Sequence, residues 1–252
     1  MRGRGSRIDP RVMTDTTLST VGTVRPVPPL SRAIQLGVAT CLILGGLLNG
    51  GLQYADHLLA GDPERRELLV WGLEHHAVYQ AVWFGVMLSS VCLLLGLLGL
   101  AQITRWRAPR LTAVATVLTV LGMWGFGNVL AGTYVAHVVV PDVLGVDAAV
   151  TLVEDGYLKD WGMVAGSLVP HLVGSFFGVL LLAVACWRAG LPKVPAVLLI
   201  VFLVWDFALS PIGIVEPHVL LLVALVWLGV AVARMPQREW LGQSALPADP
   251  LR

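Results

Sequence analysis

Charge is what this chain has least of. Only 13% of its 252 residues are charged, against ~25% in a typical soluble domain. An ordinary water-soluble fold is therefore a poor reading. The net charge of +1 offers no general attraction to polyanions. No basic stripe with interleaved aromatics occurs either, so nucleic acid is not an expected partner.

Cysteine is also scarce. Cys41, Cys92 and Cys186 form an odd set without a CxxC pair, each inside an apolar run. That argues against a disulfide framework or a cysteine-rich zinc site and leaves small packing residues. HExxH, CxxCH, paired HxxxH and Asp-rich pyrophosphate motifs are all absent. Zincin hydrolysis, c-type haem attachment and magnesium-dependent prenyl transfer thus lack their usual residues.

Apolar sequence is what the chain has in excess, at 56% hydrophobic. It comes in long runs, and about 20 residues suffice to cross ~30 Å of hydrocarbon as a helix. The runs are too long and continuous for barrel strands. The expected fold is an all-α integral membrane protein, a six-helix transmembrane bundle. Its spans are expected at about 33–55, 76–103, 111–140, 161–187, 194–215 and 218–233. Residues 1–32 are polar and rich in Arg and Pro and read as a disordered cytoplasmic tail; residues 236–252 read as a flexible one. The first apolar run is too long for a cleaved secretory signal and lacks an A-x-A-like site.

Basic residues orient the spans. Fourteen of the 17 Lys and Arg fall in alternate connections, among them Arg32, Arg105, Arg107, Arg110, Arg188, Lys193, Arg234 and Arg238. By the positive-inside rule these face the cytoplasm, which puts both termini inside a bacterial inner membrane. The heavy use of Ala, Gly, Val, Leu and Arg fits a GC-rich bacterial genome. The other connections carry most of the acids, and all six histidines, His57, His75, His76, His137, His171 and His218, lie toward that opposite face. Two outer connections, residues 64–73 and 146–158, can each form an amphipathic surface helix.

An internal match joins the first and third spans. Tyr54, His57 and Asp62 align with Tyr134, His137 and Asp142, and Asn49 aligns with Asn128 after one insertion. The returning runs also correspond, His76 and Phe84-Gly85-Val86 with His171 and Phe177-Gly178-Val179. Two similar helical hairpins plus a third, shorter one are the expected arrangement. Glycines at small-xxx-small spacing, such as Gly174 and Gly178, suit close helix packing.

Two ionisable residues lie deep in the apolar runs. His171 is 11 residues from Asp160 and 17 from Arg188; Asp206 is 13 residues from Lys193. At such depth an ionisable group costs at least ~2.5–3.5 kcal/mol and marks an interior that needs it. His171, Asp206 and Glu74 are candidate acid/base residues. Ser167, Asn49, Asn128, Gln53 and Gln80 are polar residues that can join them. His57, His76, His137, His171 and His218 are candidate metal or haem ligands, since neutral imidazoles suit transition metals and haem iron.

Three function classes follow. One is a small transporter or membrane accessory protein with a polar site in the outer half of the bundle. Membrane lipids surround it, and a homodimer is one way to complete its pathway. The second is a membrane protein holding haem or a transition metal through histidines. The third is an enzyme acting on a lipid or isoprenoid by acid–base chemistry at Asp206 and His171.

Overall fold

The computed structural model describes residues 30–55, 65–154, 156, 159–209 and 217–243. Every element among them is helical. We name α1 (Ser31–Ala55), α2 (Arg65–Glu74), α3 (His76–Thr104), α4 (Pro109–Leu144), α5 (Val146–Glu154) and α6 (Trp161–Arg188). Helix α7 (Lys193–Val204) runs on into a π-helical turn, Trp205–Leu209, and is followed by α8 (His218–Arg234) and α9 (Gln237–Trp240).

Four helices, α1, α3, α4 and α6, are long and apolar enough to cross a membrane. Among the described residues, the helices of the two remaining expected spans are shorter. Helix α8 has 17 residues, or about 25 Å, less than the ~30 Å of hydrocarbon. Lys193–Leu209 is of the same length. The structure thus carries four of the six expected spans at full length.

Helices in lipid gain little from hydrophobic sorting and associate through close packing and buried polar contacts. Both devices are present. Helix α1 runs antiparallel to α3, with Gly99 against Val38 and Gly96 against Leu42. It is also antiparallel to α8: Gln35, fully buried, donates from Nε2 to the carbonyls of Val232 (2.6 Å) and Met235 (2.8 Å). Helix α4 crosses α6 at Gly122 and Gly174, whose backbones touch. Leu42, Leu100, Leu182, Leu199, Leu225 and Leu228 fill the shared core. Between α6 and α7 the chain turns at Gly190, where φ is +81°, a value that favours glycine.

The basic residues Arg32, Arg105, Arg107, Arg110, Arg188, Lys193 and Arg234 stand at or beside helix ends on one side of the bundle, here called the basic end. The acidic end carries α2 and α5. The two expected surface helices do form there, and an exposed Arg66–Asp147 ion pair joins them.

Two sequence readings change. Residues 236–243 are not a loose tail. Trp240 is buried (3% exposed), and Gln237 bonds to Ser31 and Gln35, because an indole and an amide find partners at the start of α1. The hairpin match is also not mirrored in packing register. Gly85 lies against Leu48 and Leu52, whereas its aligned Gly178 lies against Thr119, about two turns nearer the basic end. His57 and Asp62 fall outside the described residues.

Candidate functional site

Among the described residues the helices carry five π-helical turns: Gly46–Gly51, Val135–Val139, Val164–Leu168, Pro170–Ser175 and Trp205–Leu209. Proline explains two of them. A proline ring clashes with the carbonyl four residues back; widening the turn by one residue relieves this. Pro141 and Pro170 place that carbonyl on His137 and Gly166, each inside a π-turn. The first π-turn, GLLNGG, is half glycine. Such turns re-aim side chains and occur often at functional sites.

Six polar residues of the helices sit in these turns. Asn49 lies in the first, His137 in the second, Ser167 in the third, His171 and Ser175 in the fourth, and Asp206 in the fifth. Asn49, His171, Ser175 and Asp206 line one interior cavity, joined by His218 at the start of α8.

Their depths agree. Counted from Arg32, Arg188, Lys193 and Arg234, the residues Asn49, His171, Asp206 and His218 lie 17, 17, 13 and 16 residues into their helices. At ~1.5 Å per residue, all four stand about 20–25 Å from the basic end. The cavity therefore lies in the half of the bundle nearer the acidic end.

Two glycines let the backbones close on this level. Gly125 of α4 lies against the backbone of Ser167 and His171, and Gly50 of α1 against His218 and Leu222. A side chain at either position would hold the helices apart.

Within the cavity, His171 Nδ1 and the Ser175 hydroxyl share a hydrogen bond of 3.1 Å. The imidazole stacks on Phe126 (centroids 4.9 Å apart) and leans on Phe207 (5.8 Å). His218 meets the edge of Phe202 at 5.5 Å. Asn49 is 2% exposed and donates from Nδ2 to Ser89 Oγ at 3.2 Å; Ser89 donates onward to the Val86 carbonyl. Asp206 is half-buried. The cavity offers about 80 Å³ to the centres of water-sized molecules. One water needs roughly 10–15 Å³ on this measure. A handful of waters or one small solute fits; an extended acyl or prenyl chain does not.

The other candidates lie elsewhere. Glu74 is exposed and is not part of the cavity wall. His137 stacks on Trp83 (5.4 Å) and donates Nδ1–H to the Thr133 carbonyl. It belongs to an aromatic group with Trp71, His75 and Tyr79 near the acidic end. His76 heads α3 away from the cavity. Asn128 and Ser167 line a separate groove between α4 and α6, and Gln80 donates to the Tyr134 hydroxyl. Among the described residues, no three His, Cys, Asp or Glu side chains stand close enough to hold one metal ion.

Sequence reasoning identified His171, Asp206 and Asn49 but missed Ser175, Ser89 and the phenylalanines. Ser175 had a usable signal, since it lies one helical turn after His171 and such pairs share a face. No protein-family model matches the chain, and neither a characterised protein nor a solved structure does.

Proposed function

We propose that this chain is a transport protein of a bacterial inner membrane that couples passage of a small solute to proton transfer at Asp206 and His171. In this reading α7 and α8 complete six passes, and the basic end faces the cytoplasm. The observation that carries it is the convergence of Asn49, His171, Ser175, Asp206 and His218, from four helices, on one intramembrane cavity. Transporters place their sites near the midplane, on broken or distorted helices, and π-turns supply that distortion here. Imidazole and carboxylate are the side chains that take up and release protons in such interiors.

The cavity's size favours a small solute over the lipid or isoprenoid enzyme, and a porphyrin needs far more room than a few waters. The scatter of His76 and His137 away from His171 and His218 weighs against a shared metal centre.

The test is a set of proteoliposomes holding a pH-sensitive dye, challenged in turn with small amines, carboxylates and neutral solutes. A solute-dependent change of internal pH is expected in the wild type and in Glu67→Gln, which alters an exposed residue of α2. It should vanish in Asp206→Asn. If no class of solute moves the internal pH, the transport reading fails.

A further inference from the structure

A groove opens outward between α1 and α3 at the basic end. Ser31, Ile34 and Val38 of α1 line one wall, and Leu95, Leu98 and Gln102 of α3 the other. Trp240 and Leu241 border it beside the start of α1. Gly99 forms its floor, where Val38 packs on the bare backbone and fixes the register of the two helices. Ile34 and Leu95 are 57% and 49% exposed, so among the described residues no further helix covers these walls.

The chemistry of the walls changes with depth. Residues three and four apart share a helix face, so Leu95, Leu98, Gln102 and Arg105 form one stripe of α3. At ~1.5 Å per residue, Gln102 lies about 5 Å inward from Arg105, Leu98 about 10 Å and Leu95 about 15 Å. Along α1 the polar Ser31 likewise precedes Ile34 and Val38. A cation, then an amide, then hydrocarbon is the order that meets the phosphate, the ester carbonyls and an acyl chain of a phospholipid.

The mouth is positive. The Arg105 guanidinium stands over the Trp106 ring, 4.4 Å from its centroid, and Trp106 lies against Gly242, the neighbour of Leu241. Arg238 is three residues before Leu241, about one turn. Both arginines are exposed. Among the described residues Glu239 is the one acid at this end, and it lines a neighbouring pocket together with Arg107. Basic residues set between helices near a membrane face favour anionic headgroups.

We infer that this groove binds one anionic phospholipid. Arg105 and Arg238 meet its phosphate, the Gln102 amide its ester carbonyls, and Ile34, Val38, Leu95 and Leu98 one acyl chain. A zwitterionic phospholipid offers the same chain and esters but brings a cation of its own to the two arginines, so the anionic headgroup is preferred. The inference uses neither Asp206 nor His171 and does not depend on the transport reading.

The full chain, in a neutral detergent, is titrated with dioleoylphosphatidylglycerol and with dioleoylphosphatidylcholine, and bound lipid is counted by native mass spectrometry. One phosphatidylglycerol should bind at least about tenfold more tightly than phosphatidylcholine. Arg105→Gln and Arg238→Gln should each lower its affinity about fivefold and leave phosphatidylcholine unchanged. Leu98→Trp fills the groove and should weaken both lipids. Val117→Trp, on the exposed face of α4, should weaken neither. Equal affinity for the two lipids overturns the inference, as does undiminished phosphatidylglycerol binding when both arginines are replaced. Equal loss in Val117→Trp and Leu98→Trp would mark ordinary annular lipid and also overturn it. So would dimers in place of bound lipid, which would make the groove a contact between copies of the chain. If Leu98→Trp does not fold, the two arginine variants, which alter exposed side chains, still decide the matter.

Discussion

Replacing Gly125 by alanine should loosen the bundle at the cavity. The methyl group would come within 3.0 Å of the Ser167 carbonyl oxygen and the His171 backbone nitrogen. Both are helix backbone atoms, so neither can rotate away and α4 and α6 must part. Overpacking of this kind costs about 1–3 kcal/mol. Against it stands the better helix propensity of alanine, worth at most ~1 kcal/mol. The clash wins, and a net loss of about 1–2 kcal/mol is expected. Gly37→Ala is the matched control, because nothing lies within 4 Å of a Cβ there; it should be neutral or slightly stabilising. The assay is unfolding in mixed micelles with rising SDS, followed by tryptophan fluorescence. The same separation would part His171 from Phe126, on which it stacks. If the two variants unfold alike, the close α4–α6 contact does not hold the cavity together.

Two further outcomes follow from the ends of the bundle. Trp240→Ala removes a buried indole and should cost about 3 kcal/mol, seen as a lower midpoint in the same titration; an unchanged midpoint would return residues 236–243 to the status of a loose tail. Arg66→Gln breaks an ion pair whose side chains are 60% and 85% exposed. Such pairs contribute under ~1 kcal/mol, so the midpoint should stay within error at physiological salt, and a clear drop would show that α2 and α5 are fastened through that pair.

The four helices long and apolar enough to cross a membrane were legible in the sequence because insertion depends on local apolar length, which is additive along a run. The depth of His171 and Asp206 was legible for the same reason, since helix rise converts residue count into distance. Charge asymmetry between alternate connections likewise needs no structure to be seen.

What only the packed bundle decided was which polar residues share a space. Asn49 and Asn128 align in sequence, but Asn49 faces the cavity and Asn128 a different groove. His171, His137 and His76 resemble one another as interior or interfacial histidines, but only the first meets Asp206 across a common hollow. Rotation of a side chain about its helix axis and the register between neighbouring helices are set by long-range contacts, here glycines against backbone and prolines widening turns. Hydropathy is blind to both, because it averages over all faces of a helix, while a binding site exists on one.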